Sequence, residues 1–183
     1  VQKGVAGCTF SDAEAAVLSK TAVDKMDAEN VVAAATDPYT IRLNRVFGKY
    51  TKGEGYTLNY KVYKVKEVNA FATADGSVRV YSGLMDIMDD NELLAVIGHE
   101  IGHVANHDSR DAIKSAYKKE ALIGVAASQS DKIAAITDSQ LAKIGSAMID
   151  SKHSRKQESE ADLYAYDFLK KNGYNVNAEE SAF

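Results

Sequence analysis

Two histidines and a glutamate lie close together near the middle of the chain, in the order His99-Glu100-Ile101-Gly102-His103. Side chains four positions apart share one face of a helix, so both imidazoles can bind a single ion. The glutamate between them would lie beside that ion, where it can act as a general base. A helix with this His-Glu-x-x-His pattern is typical of zinc proteases, provided that a third ligand comes from elsewhere in the chain.

The segment that carries this motif has the features of a buried helix. Asp89 and Glu92 are spaced as a capping box, which predicts that the helix begins there. Apolar residues then follow at helical spacing and form one face: Leu93, Leu94, Val96, Ile97, Ile101 and Val104. Gly98 and Gly102 each lower helix stability by about 1 kcal/mol relative to alanine, so we expect a close approach there, which a tight metal pocket would explain.

A second set of acidic residues occupies positions 158–162, in a helical pattern that runs from about residue 154 to 172 and is closed by Gly173. Glu158 and Asp162 are four positions apart and share a face. Glu158 is therefore predicted as the third ligand, and Asp162 as the carboxylate that orients a ligating imidazole. Glu160 is the alternative ligand, but it projects roughly 160° away from Asp162 and is expected to face solvent.

Two further histidines and two tyrosines are secondary candidates. His107 lies four positions beyond the motif and could be a third histidine ligand, but its surroundings are typical of a helix end. His153 precedes the predicted third ligand by five positions, which is not a same-face interval, so it is interpreted as a surface histidine. Tyr164 and Tyr166 are interpreted as core or interface aromatics, with a catalytic function as the alternative.

Five stretches resemble one family of metalloproteases, and the resemblance covers most of the chain from about Ser11 onward. They are residues 69–72 (Asn-Ala-Phe-Ala), 80–85 (Val-Tyr-Ser-Gly-Leu-Met), 90–92 (Asp-Asn-Glu), 96–104 (Val-Ile-Gly-His-Glu-Ile-Gly-His-Val) and 157–162 (Gln-Glu-Ser-Glu-Ala-Asp). On these motifs the chain resembles the gluzincins of the CAAX-protease and HtpX-like family, the M-forty-eight peptidases. The resemblance implies one Zn²⁺ bound by His99, His103 and Glu158. It also implies that Glu100 is catalytic and that Asp162 orients a ligand.

The same resemblance gives a function to the strand at residues 69–72. In such enzymes an Asn-Ala-Phe strand lies above the metal, and an extended polypeptide substrate pairs with its main chain. The implied substrate-binding residues are Asn69, Ala70 and Ala72, whereas the pattern alone equally fits an ordinary hairpin strand. Because main-chain pairing does not read side chains, we expect broad tolerance of substrate sequence.

Composition restricts the remaining possibilities. The 183 residues carry a net charge of −4 with 45% hydrophobic residues, which predicts one domain over residues 1–183 with its own core. This charge gives no basic surface for nucleic acid or anionic membrane. No stretch approaches the roughly twenty apolar residues of a transmembrane segment. Cys8, the only cysteine, lacks the apolar segment that precedes a lipoprotein cleavage site and is interpreted as an ordinary small residue.

The resemblance also implies a cellular location and a longer chain. Relatives of this kind are lipoproteins of the bacterial cell envelope on the periplasmic side, so a signal segment and a lipid anchor are expected upstream of Val1. Residues 177–180 resume a helical pattern shortly before the last residue, Phe183. The domain is therefore expected to be truncated at its C-terminus.

The pattern along the chain predicts an α+β fold that is mainly helical. Ser11 and Glu14 form another capping box, which opens a helix to about residue 35, and Asp37-Pro38 opens the next. Asp75-Gly76 is a strong hairpin signal, so a small, largely antiparallel sheet is expected before the zinc helix. The remaining predicted elements are strands at 57–65, 68–74 and 77–81 and helices near 109–127 and 131–149.

These residues predict zinc-dependent hydrolysis of peptide bonds in unfolded or damaged envelope proteins, with Glu100 as general base. A catalytically silent zinc module that binds peptides or a partner protein is the alternative from another class, and it has no use for a base at this position. A purely structural zinc site is less favoured, because closed sites use four Cys or His ligands.

Overall fold

The computed structural model describes residues 11–53, 55–121 and 136–172. Within them the chain is mainly helical with a small sheet, so the expected α+β class is confirmed. The helices are α1 (Asp12–Glu29), α2 (Pro38–Phe47), α3 (Ser82–Ile87), α4 (Asp90–Ala105), α5 (Asp108–Ala121), α6 (Asp138–Ile149) and α7 (Arg155–Lys171). The strands are β1 (Lys52–Gly53), β2 (Tyr56–Thr57), β3 (Asn59–Tyr63), β4 (Ala70–Ala72) and β5 (Ser77–Tyr81).

Side-chain caps fix where the helices begin. Capping boxes open α1, α4, α6 and α7, and they pair Ser11 with Glu14, Asp89 with Glu92, Thr137 with Gln140 and Ser154 with Gln157. Helix α1 ends at Glu29, earlier than predicted. The chain becomes extended at Asn30, and Val32 then forms a β-bridge with Tyr63. Tertiary pairing thus ends a helix whose alanine-rich sequence favours its continuation.

The sheet is mixed rather than purely antiparallel. Its strand order is β3-β5-β4, with β4 antiparallel and β3 parallel to β5. The predicted hairpin joins β4 to β5, and Gly76 supplies the positive φ of 89° that its turn requires. Because β5 inserts between its hairpin partner and β3, it runs antiparallel to one neighbour and parallel to the other.

Helix α4 lies in the main core and packs along α7. The predicted apolar face of α4 is buried, with Leu93 and Ile97 fully enclosed. A Cβ atom on Gly102 would lie 3.1 Å from the Cβ of Tyr164, and one on Gly98 would lie 3.3 Å from Phe168. Both glycines therefore permit close contact with α7, not with a metal pocket as the sequence suggested.

A buried ion pair ties α1 to the centre of the sheet. The guanidinium of Arg79 on β5, only 2% exposed, donates to both oxygens of Asp27 on α1 at 2.9 and 3.0 Å. Tyr63 on β3 donates to the same carboxylate. Burial alone raises the pKa of Asp27, but the hydrogen bonds from Arg79 and Tyr63 reverse this effect, so the pKa lies below its usual value.

Some sequence expectations fall outside the described residues. They are the interpretation of Cys8, the helix end at Gly173, the helical pattern at 177–180, and the predicted helices where they cover 122–127 and 131–135. In the part of the chain that the structure does describe, no helix is both long and apolar enough to cross a membrane.

Candidate active site

Three predicted ligand side chains converge between α4 and α7. His99 Nε2 lies 3.1 Å from His103 Nε2. Glu158 closes the triangle, with one carboxylate oxygen 3.1 Å from His99 Nε2 and the other 3.3 Å from His103 Nε2. Both histidines are buried, whereas Glu158 is partly open to solvent. Both helices begin at a capping box, so local interactions fix the position of each of these side chains along its helix.

These separations suit a small tetrahedral ion. Ligands at about 2.0–2.1 Å from Zn²⁺ in a tetrahedron lie about 3.3 Å from each other. The three atom pairs in this site lie at 3.1, 3.1 and 3.3 Å. Two imidazoles and one carboxylate are also the donor set of a hydrolytic zinc site, which leaves one coordination position for substrate or water.

The hydrogen bonds behind the histidines show which nitrogens carry protons. His99 Nδ1 lies 2.8 Å from Asp162, and His103 Nδ1 lies 2.8 Å from Asp108. Since an ionised carboxylate only accepts hydrogen bonds, both Nδ1 atoms are protonated, and in the neutral form of each imidazole this leaves a lone pair on Nε2. Two lone pairs and the Glu158 carboxylate then face one point, an arrangement that repels itself unless a cation lies there. The residues present therefore fit a metal ion.

Glu100 lies on the same helix between the two histidines and lines the cleft. Burial, together with the negative charge of Glu158, raises the pKa of its carboxyl to about 8. The side chain still keeps partial exposure, so water in the cleft offsets some of the effect. A divalent cation beside the two carboxylates would lower the pKa again. Glu100 is thus a carboxyl group that can exchange a proton near neutral pH.

A cleft of about 160 Å³ opens in front of these residues. Its walls come from one strand, β4, with the residues on either side of it, and from five helices: α1, α4, the first turns of α5, the end of α6 and the first turn of α7. The residues between α6 and α7 complete the lining. Many lining side chains are small, among them Ala70, Ala72, Ser109 and Ala112. Small residues leave the main chain of the walls accessible, which suits the binding of another main chain.

Strand β4 is the edge of its three-stranded sheet and turns part of its main chain toward the cleft. On either side of β4, Thr73 N–H donates to Ser77 O at 2.9 Å and Tyr81 N–H donates to Asn69 O at 3.0 Å, so the odd-numbered residues from 69 to 73 bond to β5. Because antiparallel ladders alternate, the N–H and C=O groups of Ala70 and Ala72 point away from β5. The side-chain oxygen of Asn69 accepts a hydrogen bond from Ala70 N–H at 2.8 Å. The three predicted substrate-binding residues therefore lie along one edge of the cleft.

The other sequence candidates lie in different surroundings. Glu160 faces solvent, as expected, near Lys156 at 3.9 Å. His107 is exposed at the junction of α4 and α5, where it adopts a φ of 64° and lies 3.4 Å from the Tyr56 hydroxyl. Tyr164 packs against the main core, and Tyr166 is 39% exposed. None of these four residues belongs to the group of side-chain atoms formed by His99, His103 and Glu158.

His153 is half-buried in the cleft wall and is not the surface histidine that its spacing suggested. Its ring stacks on that of His103 with centroids 3.9 Å apart and planes at 23°. Burial, together with the neighbouring imidazole of His103, lowers its pKa. Although ligand atoms of His103, Asp108 and His153 lie within 4.8 Å of one another, stacked rings direct their lone pairs in parallel. This group does not favour a second ion.

Asp108 was missed by the sequence reasoning, which treated residues 106–109 only as a helix end. The carboxylate is 5% exposed and lies behind His103, as Asp162 lies behind His99. Gln157 was quoted only as part of a motif, yet its side-chain amide donates to Asp108 at 3.1 Å. A useful signal was the carboxylate at a helix start five positions after the second histidine.

Comparison with known proteins places these features in context. The sequence profile of Peptidase family M48 matches residues 42–183. Metalloprotease LoiP of Escherichia coli is 42% identical over 176 residues, which are 96% of this chain and 70% of that protein. Metalloprotease YcaL of Escherichia coli is 40% identical over 176 residues, 96% of this chain and 69% of that protein. A Vibrio cholerae protein named "Putative beta-barrel assembly-enhancing protease" is 31% identical over 125 residues, 64% of this chain and 26% of that protein.

Proposed function

Because this chain belongs to Peptidase family M48, we propose that it is a zinc-dependent endopeptidase whose ion is held by His99, His103 and Glu158. Family membership makes the chain a metalloprotease and its substrates polypeptides. The identity of the metal, the general base and the kind of substrate are the content of this proposal.

The observation that carries the proposal is the convergence of three lone-pair donors at 3.1–3.3 Å from one another. In its neutral form each imidazole directs its one proton to a carboxylate and keeps none for the shared centre. Such a centre binds a cation that prefers nitrogen and oxygen ligands in tetrahedral geometry, and zinc is the common biological choice.

Glu100 is proposed as the general base and then the general acid. When bound, zinc would polarise the scissile carbonyl and make a nearby water more acidic. Glu100 accepts the proton of that water as its oxygen attacks the carbonyl carbon. The same carboxyl then donates the proton to the leaving nitrogen as the C–N bond breaks, so the base is regenerated.

The edge of β4 is proposed to bind substrate as an added strand. The outward main-chain groups of Ala70 and Ala72 would pair with an extended peptide, as in other cases of β-strand addition. Asn69 holds the Ala70 N–H, so its side chain must turn away before a substrate carbonyl can bind there. A folded protein rarely presents a free extended segment, hence unfolded or damaged proteins are the proposed substrates.

The proposed location is the bacterial cell envelope, on its periplasmic side. It is supported by similarity to a protein whose name refers to the assembly of β-barrels. A lipid anchor upstream of Val1 and quality control of envelope proteins remain predictions from the family resemblance.

The decisive experiment compares Glu100→Gln with the wild-type chain in casein hydrolysis and zinc content. We expect the variant to retain one zinc ion per chain and to lose activity by about 10²–10⁴-fold, because only the base is removed. Glu160→Gln is the matched control, since Glu160 faces solvent on α7, and it should cleave normally.

Chelation should abolish wild-type cleavage, and added zinc should restore it. Retained turnover in Glu100→Gln would remove this residue from its proposed function. A wild-type protein that binds zinc and extended peptides but never cleaves them would instead favour the silent binding module.

A further inference from the structure

Gln157 joins the start of α7 to the imidazole on α4 through one continuous set of hydrogen bonds. The side-chain oxygen of Gln157 accepts a hydrogen bond from the main-chain N–H of Ser154 at 2.8 Å. The main-chain N–H of Gln157 donates to Ser154 Oγ at 3.1 Å, which completes the capping box of α7. Its side-chain nitrogen donates to Asp108 Oδ1 at 3.1 Å. Asp108 Oδ2 in turn accepts from His103 Nδ1 at 2.8 Å.

Each group in this series has only one possible orientation. Asp108 can only accept, so the Gln157 amide must present its NH₂ group to it, and its oxygen is left for the cap. The next residue after Gln157 is Glu158, the proposed metal ligand. One side chain thus connects the helix that carries Glu158 with the carboxylate that orients His103.

We propose that Gln157 is a positioning residue, which sets the distance between Glu158 and His103 and so the affinity of the site for its metal. This inference rests on the metal site of the proposed function. The small residues between α4 and α7 allow the helices to approach closely, so resistance to a slide of one helix along the other depends on side-chain hydrogen bonds, of which His99–Asp162 is one. The series Gln157–Asp108–His103 fixes that slide at the level of the ligands.

The other capping boxes show why glutamine is needed at position 157. In α1 and α4 the equivalent residue is Glu14 or Glu92, so a glutamate is sufficient to cap a helix in this chain. In α6 the equivalent residue is Gln140, whose amide donates to a main-chain carbonyl at 3.4 Å. Of these four boxes, only that of Gln157 has a side-chain amide that donates to a carboxylate behind a ligand. A glutamate there would keep the cap and lose the donor.

The test is a double-mutant cycle of Gln157→Glu and Asp108→Asn, with zinc affinity measured by chelator competition. In Gln157→Glu the new carboxylate at position 157 faces the carboxylate of Asp108. In Asp108→Asn the new NH₂ group at position 108 faces the NH₂ group of Gln157. Each single change therefore removes the hydrogen bond between the two side chains. In the double variant the new amide at position 108 can donate to the new carboxylate at position 157 and accept from His103, with an unchanged net charge. Each single change should weaken zinc binding by about 10-fold or more, and the double variant should bind more tightly than either.

Gln140→Glu is the matched control, because it makes the same change at the same position of a capping box far from the ligands. It should leave zinc affinity unchanged. The added negative charge in Gln157→Glu favours a cation by itself, so a weaker affinity reports lost positioning rather than charge. Far-UV circular dichroism of the zinc-loaded proteins shows whether helix content is retained.

If the fold-losses of zinc affinity in the two single variants multiply in the double variant, the two residues act independently and the inference is overturned. Wild-type zinc affinity in Gln157→Glu would also overturn it. If Gln157→Glu fails to fold, recovery of folding and zinc binding in the double variant supports the coupling, and no recovery refutes it. Absence of zinc binding by the wild-type chain would overturn the proposed function as well. Normal wild-type binding without coupling would overturn only the positioning by Gln157.

Discussion

Each histidine of the site bonds through Nδ1 to a carboxylate, but the two hydrogen bonds lie in different surroundings. In what we term the His103 half, the imidazole and Asp108 have side chains that are 4% and 5% exposed. In the His99 half, the imidazole is 7% exposed but Asp162 is 51% exposed. Both nitrogen–oxygen distances are 2.8 Å. Water competes for the second bond and not for the first, so the buried pair should orient its ligand more firmly.

The helix contact shows the same asymmetry. Beside His103, a Cβ on Gly102 would meet main-chain atoms of Ala161 at 3.2 Å. Beside His99, a Cβ on Gly98 would first meet the ring of Phe168, at 3.3 Å, which can rotate away. We therefore expect the His103 half to be the more rigid of the two. We expect a site built in this way to hold the proposed ligand His103 in place and to tolerate small movements of the proposed ligand His99.

The largest expected difference separates Asp108→Asn from Asp162→Asn. Loss of a carboxylate behind a ligating histidine typically weakens metal binding by about 10–100-fold. We expect Asp108→Asn to fall in this range and Asp162→Asn to lose clearly less, because solvent can replace the exposed bond. Chelator competition with zinc measures both. Equal losses would show that burial does not distinguish the two halves.

A smaller difference is expected between Gly102→Ala and Gly98→Ala. Overpacking typically costs about 1–3 kcal/mol, while alanine in a helix offsets about 1 kcal/mol relative to glycine. Gly98→Ala should therefore change the free energy of unfolding little, since Phe168 can move. Gly102→Ala should lower it, because α7 must shift as a unit, and urea unfolding of the zinc-loaded proteins measures both changes. If Gly98→Ala lowers the free energy of unfolding more than Gly102→Ala does, the proposed difference between the two halves is wrong.

The smallest effect is the pH dependence of stability that comes from Asp27 and Arg79, which lie outside both halves and serve as a reference. The folded-state pKa of Asp27 is lowered, whereas the pKa of an Asp in an unfolded chain is about 3.9. The stability from this pair is thus fully present above that pH and is lost as pH falls through the lower, folded-state pKa.

Urea unfolding in chelator between pH 3 and 7 isolates this effect from metal release. Asp27→Asn should be less stable at pH 7 and should lose less stability on acidification than the wild-type chain. Asp24→Asn is the control on the same helix, since its ion pair with Lys20 is 60% exposed on the aspartate side. If the free energy of unfolding of the wild-type chain falls with pH as it does in Asp27→Asn, the Asp27–Arg79 pair does not contribute to acid sensitivity.

The parts of the site that lie within single helices could be predicted from the sequence. His99 and His103 are one helical turn apart, as are Glu158 and Asp162, and the capping boxes at Asp89 and Ser154 locate both helices. Local geometry is enough to put such pairs on one face. The hairpin at Asp75-Gly76 was predictable for the same reason, because its turn depends on neighbouring residues.

The parts that involve a change of chain direction could not be predicted. Asp108 reaches His103 only because His107 takes a left-handed backbone conformation, with φ of 64°, which turns α5 back toward the site. Nothing in residues 104–109 requires a non-glycine residue to adopt that conformation. The position of β5 between β3 and β4 depends likewise on pairing between distant segments.

The sequence by itself determined which side chains share a helix face, and hence the pairs His99 with His103 and Glu158 with Asp162 that the proposed site uses. These properties follow from a repeat of 3.6 residues and from local caps, which act over four residues or fewer. Only the tertiary structure decided how close α7 lies to α4, that Asp108 and Gln157 stand behind His103, and that the two halves of the site differ in burial. Exposure and contact depend on the atoms that distant segments bring together, and no local pattern encodes them.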